Sequence, residues 1–175
     1  HWTALNPVTL PIPARTPLVP RLRDAFGCEH VVAANDAQAA AWGEYRRGAG
    51  AGHDMMFLTV SSGIGGGLVL DGRLRVGARG LAGSLGQMVG TDGARFEADA
   101  SGFGLARAAA ARGHAADTRA LFAALAAGEG WADGLVRDAA GRLALALGNL
   151  QRLIDVELFV VGGGIDVGLY VVLNR

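Results

Sequence analysis

An asparagine and an aspartate stand side by side where an apolar segment meets a segment rich in helix-forming residues. Asn35 and Asp36 follow the apolar stretch 30–34 and precede a run of alanines. Open α/β sheets bind ligands at the carboxyl ends of their strands. A carboxylate there can take the proton from a substrate hydroxyl while the neighbouring amide orients the same substrate. Asp36 can also act as a helix cap that offsets the helix dipole, and the sequence leaves both interpretations open.

A glycine-rich segment follows the apolar run 55–60. Its members are Ser61, Ser62, Gly63, Ile64, Gly65, Gly66 and Gly67. The segment continues into Leu68 and not into a helix, so it does not fit the dinucleotide fingerprint, which places the phosphate at a helix N-terminus. Closely spaced backbone N–H groups can still bind a phosphate, because glycines let the ligand approach. The alternative is a tight hairpin that uses glycine for positive φ, although four glycines in the five residues 63–67 exceed what a hairpin needs.

A second glycine turn ends the apolar run 158–161 and consists of Gly162, Gly163 and Gly164. Taken alone, it fits a strand-to-helix turn whose glycines allow close packing. Taken with the first segment, it places backbone donors at the ends of two buried strands. The pair therefore favours a nucleotide held between two strand ends.

Alternating strands and helices are predicted as the elements that position these residues, which makes the fold class α/β. A β-meander is expected from 55 to 76, with the Asp71-Gly72 pair as its hairpin turn. The stretch 77–99 is expected to be a loop, and no element is assigned to 166–175. Single strands are expected at 30–34 and 158–161, and helices up to Phe26 and at 36–47, 101–112, 117–127 and 131–154. The last helix has its apolar face at Leu135, Leu143, Leu147, Leu150 and Ile154.

Composition excludes several classes of protein. All 16 basic residues are arginine, so a Walker loop, which needs a lysine, is impossible. The single cysteine, Cys28, rules out a disulfide framework and a thiolate zinc site, and it fits a reducing, cytoplasmic location. A net charge of zero argues against a nucleic-acid surface, and no apolar run reaches the roughly 18 residues of a membrane span. Glycine is abundant, with 28 residues, but a hydrophobic content of 51% indicates a globular core.

Three segments, in their order and spacing, resemble the ROK family of sugar kinases and repressors. They are NDAQAAAWGEY at 35–45, FLTVSSGIGGG at 57–67 and GLAGSLG at 80–86. The opening TALNP at 3–7 and the QAAAW run are most similar to the bacterial N-acetylmannosamine kinases of that family, and EADASG and VVGGGI continue the match. The resemblance implies the actin-like ATPase fold of hexokinases, in which two lobes close over a sugar.

The resemblance also implies a role for each candidate residue. Asp36 is the base that takes the proton from the 6-hydroxyl of an amino sugar, which then attacks the γ-phosphate of ATP bound with Mg²⁺. The implied substrate-binding residues are Asn6, Asn35, Asp36, Ser84, Gln87 and Glu97. The implied ATP-binding residues are Ser62, Gly63, Ile64, Gly65, Gly66, Gly67, Gly162, Gly163 and Gly164. The implied protein is a cytoplasmic homodimer of sialic acid catabolism, with neither a nucleic acid nor a membrane as partner.

The chain departs from the family pattern at the sugar side. Gln87 stands where the family has a histidine that binds sugar and zinc, and an amide cannot reproduce that ligation. Ser84 replaces a glutamate or histidine, and no cysteine lies between Asp92 and Glu97, so zinc is not expected.

The family's N-terminal Asp-Ile-Gly-Gly-Thr phosphate loop also has no counterpart in this sequence. Residues 1–34 are therefore expected to be a remnant of the sugar-side region and 35–175 the C-terminal lobe, and the chain alone is expected to be inactive. The competing interpretations are a non-catalytic sugar-sensing repressor or a degenerate sugar-binding protein, and a structural ATPase lobe.

Overall fold

The computed structural model describes residues 3–4, 10–164 and 171–174. The chain divides into two compact units, His1–Asn35 and Asp36–Arg175. Among the described residues, no helix is both long enough and apolar enough to cross a membrane. The assignment of the two units to a sugar-side remnant and a C-terminal lobe stays a prediction.

In the described residues of the first unit there is one helix, α1, at Leu18–Phe26. It follows Pro17 and ends at Gly27, whose φ of 62° is left-handed, as the sequence predicts for the helix stop. The strand predicted at 30–34 is wrong, because these residues form no β-ladder and Val32 is 92% exposed. A strand needs a neighbour to bond its backbone groups, and the sequence pattern alone does not supply one.

The second unit is built on a five-stranded mixed sheet. Its strands are β1 (Met55–Val60), β2 (Ile64–Leu70), β3 (Arg73–Arg75), β4 (Leu158–Gly162) and β5 (Val171–Asn174), in the spatial order β3-β2-β1-β4-β5. β1 is antiparallel to β2 and parallel to β4, while β5 is antiparallel to β4. The predicted Asp71-Gly72 turn is confirmed, since both residues have positive φ, 51° and 68°, as a type I′ turn requires.

Helices accompany the sheet in the second unit, and five lie within its described residues. They are α2 (Asp36–Arg47), α3 (Phe96–Ala100), α4 (Gly102–Ala111), α5 (Thr118–Ala126) and α6 (Gly130–Ile154). The four helices predicted here agree to within one residue at each end. The predicted loop 77–99 is partly wrong, because it contains a 3-10 turn at Leu85–Gln87 and helix α3. Repeated glycines in this stretch hide both elements from a periodicity argument.

The sheet is buried on both faces, and β1 lies at its centre. Met55 and Phe57 pack in the cluster on the α2 side, with Ala41. Met56 and Leu58 pack in the larger cluster on the other side, which includes apolar residues of α3, α4, α5 and α6. Successive side chains of β1 point to opposite faces, and both faces are covered. Apolar residues are therefore needed at successive positions, as in Met55–Leu58. The first four residues of β1 are therefore held on both sides, and its last two residues, at the carboxyl end, are half-buried.

The glycine segment after β1 is mostly strand and not turn. The turn comprises residues 61–63 only, and β2 begins at Ile64, so Gly65, Gly66 and Gly67 lie within the sheet. A Cβ on Gly65 would lie 2.8 Å from the Cβ of Ala37, and a Cβ on Gly67 would lie 2.5 Å from the Cβ of Ala41. The glycines thus let α2 pack directly on the backbone of β2. The predicted turn 61–67 is corrected accordingly.

Substitution of Gly67 by alanine tests this close contact. Gly67→Ala is expected to destabilise the protein by about 1–3 kcal/mol, because the added methyl group also meets the Cα of Gln38 at 3.0 Å and helix backbone cannot yield easily. Urea denaturation measures the change in the free energy of unfolding.

The matched control is Gly141→Ala on α6, where nothing lies within 4 Å of the added Cβ. This variant is expected to be more stable than the parent by up to about 1 kcal/mol, because alanine favours helix. Equal stabilities of the two variants would contradict the packing explanation for Gly67.

Candidate functional site

The two glycine turns lie side by side at the carboxyl edge of the sheet. Thr59 of β1 pairs with Gly162 of β4 in the parallel ladder, so both strands end at the same level. Gly163 follows with a φ of 136°, and a Cβ there would collide with the carbonyl oxygen of Val60. Glycine is thus required at 163 for both conformation and space. Sequence reasoning placed the two turns at strand ends, and the register brings them together.

The hairpin turn is held by the start of helix α4. The N–H groups of Gly102 and Phe103 donate to the carbonyl oxygens of Ser61 and Ser62, at 2.7 and 3.1 Å. The Ser101 hydroxyl, which is 1% exposed, caps the same helix by accepting from the Gly104 N–H at 3.1 Å. The first N–H groups of α4 are therefore satisfied by protein, so this helix end does not offer them to an anion.

Glu97 of α3 lies against the same hairpin. Its Oε2 accepts a hydrogen bond from the Ile64 N–H at 3.2 Å, and a Cβ on Gly63 would lie 2.8 Å from this oxygen. The Ile64 side chain is 5% exposed and belongs to the core. The predicted sugar-binding glutamate thus contacts the predicted ATP-binding turn. At that turn, within the described part of the chain, Ser62 and Gly63 have backbone N–H groups with no protein acceptor.

The segment after β3 runs along the edge of β2. β3 pairs only with residues 68–70, and the following loop continues along the rest of the strand. A Cβ on Gly83 would lie 2.8 Å from the Cα of Gly67, and a Cβ on Gly86 would collide with the carbonyl oxygen of Ile64. This path covers an edge that would otherwise expose unpaired backbone groups. It also places the half-buried Ser84 and Gln87 beside the strand that follows the turn.

Asp36 is the first residue of α2, and its side chain is exposed. Its Oδ1 accepts from the N–H of Ala37 at 2.9 Å, so the carboxylate does stabilise the helix start. The exposed carboxylate is also available to a substrate. Asn35 belongs to the other compact unit, so the joint geometry of Asn35 and Asp36 is not described, and the predicted residue Asn6 lies outside the described residues.

A cleft of about 280 Å³ opens beside the hairpin turn. Its lining includes Ser61, Ser62 and Gly164, which come from the two glycine turns. It also includes Phe103 of α4 and the start of α5 at Asp117 and Thr118. Sequence reasoning missed these last three residues. Their only local signal is that Asp117 caps α5 by accepting from the Arg119 N–H at 3.1 Å, and a helix cap does not indicate a ligand.

The segment that carries Glu97 is tied to α6 by ion pairs. One Nη of Arg142 contacts the carboxylates of Asp92, at 2.7 Å, and of Asp99, at 3.1 Å. The hydrogen bond from Arg142, reinforced by the Ala94 N–H, holds the pKa of the Asp92 carboxyl below its ordinary value. No three His, Cys, Asp or Glu side chains converge on a point in the described ranges. Arg142 is thus a link between α6 and the short helix α3.

Removal of Arg142 is expected to raise the pKa of Asp92 towards its ordinary value. In the parent protein the lowered pKa means that Asp92 contributes to stability above the ordinary carboxyl pKa, and that this contribution is lost as the pH falls through the lowered value. An NMR titration of the Asp92 carboxyl carbon in Arg142→Met measures the change.

Arg137→Met serves as its matched control, because Arg137 pairs with Asp133 within α6 at 2.6 Å and contacts neither Asp92 nor Asp99. The Asp92 titration should be unchanged in this control. A shift of equal size in both variants would show that Arg142 does not act through direct contact.

The sequence pattern of the ROK family matches residues 2–172. Over 167 residues, the chain is 57% identical to a bifunctional enzyme NanE/NanK of Brucella melitensis. This match covers 94% of this chain and 32% of that protein. It is 42% identical over 171 residues to an N-acetylmannosamine kinase of Citrobacter koseri, covering 93% of this chain and 59% of that relative. The chain therefore spans less than two thirds of either relative.

Among solved structures, a ROK hexokinase from Thermus thermophilus superposes with a TM-score of 0.77 at 39% identity. The match covers 85% of this chain and 53% of the hexokinase. The predicted fold class, α/β of the actin-like ATPase type, is confirmed by this likeness together with the mixed sheet and its flanking helices.

Proposed function

The chain belongs to the ROK family, and we propose that it supplies the ATP-binding and base-carrying part of a sugar kinase. The reaction is transfer of the γ-phosphate of ATP to the 6-hydroxyl of an amino sugar. N-acetylmannosamine is the proposed sugar, because the relative from Citrobacter koseri carries that name. The observation that carries the proposal is the meeting of both glycine turns at one sheet edge, beside a cleft.

The proposed nucleotide site is that cleft. The N–H groups of Ser62 and Gly63 are the donors proposed to bind phosphate oxygens, and Gly164 lies at the rim towards the nucleoside. Phe103 is 52% exposed there and offers an aromatic surface to the base. Gly65, Gly66 and Gly67 are proposed to act indirectly, since their close packing holds the strand on which the turn is built.

The proposed base is Asp36. The 6-hydroxyl of the sugar gives its proton to the Asp36 carboxylate while its oxygen forms a bond to the γ-phosphorus and ADP leaves. Exposure of Asp36 at the start of α2 supports this role, because a base must be reachable by the substrate. Asn35, Ser84, Gln87 and Glu97 remain proposed sugar-binding residues, with Asn6 as a further candidate.

Magnesium is proposed to arrive bound to ATP. Magnesium usually keeps several waters and is held by one or two carboxylates together with the phosphates of the substrate. The base step above does not depend on a resident metal. Zinc is not part of the proposal, because Gln87 and the segment 92–97 offer no imidazole or thiolate. A cytoplasmic homodimer of carbohydrate metabolism, with sugar and ATP as its small-molecule partners, completes the proposal.

Substitution of Asp36 by asparagine tests the role of the base. In the intact protein, Asp36→Asn is expected to lower N-acetylmannosamine-dependent ADP release about 10²–10⁴-fold, because an amide cannot accept the hydroxyl proton. The amide oxygen can still accept from the Ala37 N–H, so the helix start should be preserved. A coupled assay for ADP measures turnover, and calorimetry with N-acetylmannosamine measures sugar binding.

Asp133→Asn is the control, since Asp133 pairs with Arg137 on α6 and has no proposed part in the reaction. Its turnover should equal that of the parent. Normal turnover of Asp36→Asn would refute the assignment of the base.

A sugar-sensing protein without kinase activity is the second candidate. It is favoured by Ser84 and Gln87, which replace the acidic or imidazole groups of the family pattern with neutral ones. This candidate predicts sugar binding without ADP release in the unsubstituted full-length protein, the form for which the kinase test is designed. The kinase proposal predicts both, so the same two measurements distinguish them.

A further inference from the structure

Gln38 is a buried polar residue in the first turn of α2. It is 5% exposed, and Ser101 is the one other buried polar side chain among the described residues. Its Nε2 donates to the carbonyl oxygens of Gly80 and Ala82, both at 3.1 Å. These two oxygens belong to the loop that follows β3. One side chain therefore joins helix α2 to this loop through two hydrogen bonds.

The two bonds determine where the loop lies on its helix side. A buried amide is unfavourable unless its hydrogen bonds are made, and its loss would leave two carbonyl groups without their partner. On its other side the loop meets backbone, since Gly83 approaches Gly66 and Gly67 too closely for any side chain. The loop is thus held between the strand and Gln38, and it leads directly into Ser84.

Asp36 and Gln38 stand two residues apart at the start of the same helix. The helix itself is fixed by its contacts with β2, where Ala37 meets Gly65 and Ala41 meets Gly67. Gln38 therefore fixes the position of the loop relative to the Asp36 carboxylate. A helix and a loop that were joined only by apolar packing would have no such directional constraint.

We propose that Gln38 is a positioning residue that sets the loop 80–84 relative to Asp36 and thereby determines the affinity for the sugar. It touches neither the sugar nor the phosphate in this proposal and acts through the loop. The inference rests on the proposed function, because it assigns the sugar to the space between Asp36 and the loop. It predicts that loss of the two hydrogen bonds affects the sugar and not the nucleotide.

The test replaces Gln38 by methionine in the intact protein, which removes both donors and keeps the length of the side chain. Gln38→Met is expected to lower kcat/KM for N-acetylmannosamine about 10–100-fold, because small displacements of binding groups cost rate steeply. The change should appear mainly as a higher KM for the sugar. The KM for ATP should stay within about twofold, since the nucleotide contacts are unaltered.

Gln151→Met is the matched control. Gln151 also donates two hydrogen bonds from its Nε2, to Asp155 at 3.2 Å and to the carbonyl oxygen of Val156 at 3.1 Å, where α6 ends. Its removal should lower stability in a comparable way and leave both KM values unchanged. If Gln38→Met does not fold, Gln38→Asn replaces it, because asparagine keeps the amide but is too short by one methylene to reach both carbonyls.

Amide hydrogen exchange over residues 80–84 gives a readout that does not depend on turnover, and exchange should be faster in the Gln38 variants than in Gln151→Met. If the unsubstituted protein neither binds nor phosphorylates N-acetylmannosamine, the proposed function fails and this inference fails with it. If the unsubstituted protein is active and the Gln38 variants match Gln151→Met in sugar KM, the inference alone is overturned. An equal rise in the KM values for sugar and ATP would also overturn it.

Discussion

Helix α2 lies so close to strand β2 that hydrogen is the only side chain which fits at the points of contact. Gly65 faces Ala37 and Gly67 faces Ala41, and each contact is shorter than a pair of methyl groups would allow. Because the helix cannot move towards or away from the strand without losing this contact, the first residue of α2 is held at a defined place beside the sheet. The position of Asp36 is thus a consequence of glycine in the neighbouring strand.

The same strand begins directly after the turn whose N–H groups are proposed to bind the nucleotide. β2 begins at Ile64, directly after the turn, and the Ile64 N–H and C=O face Glu97 and Gly86 respectively. The segments proposed to bind the sugar therefore converge on the residue that follows the turn proposed to bind phosphate. A displacement of β2 would move the proposed sugar-binding segments and the proposed phosphate-binding turn together. This strand therefore connects the two parts of the proposed active site.

Burial distinguishes the structural glycines from those proposed to meet ligand. Gly66 and Gly67 are buried against protein atoms, and a side chain at either would collide with backbone or with α2. Gly63 and Gly164 lie at the turns and are partly or fully exposed. The glycine surplus of the segment 63–67 therefore has two physical causes, close packing within the sheet and an open turn at its end, where sequence reasoning assigned a single one.

The amino-acid sequence by itself determined the local elements and the family. A six-residue apolar run defined β1, and a run of good helix formers after a capping residue defined α2, both to the residue. The Asp71-Gly72 pair defined its turn, because all these signals lie within a few neighbouring residues. Only the tertiary structure decided that 30–34 is not a strand, that Glu97 bonds Ile64, and that Gln38 bonds the loop at Gly80 and Ala82. The bonded residues are 33, 42 and 44 positions apart in the chain. No local pattern specifies such pairs, since they form only when the sheet and its helices have packed.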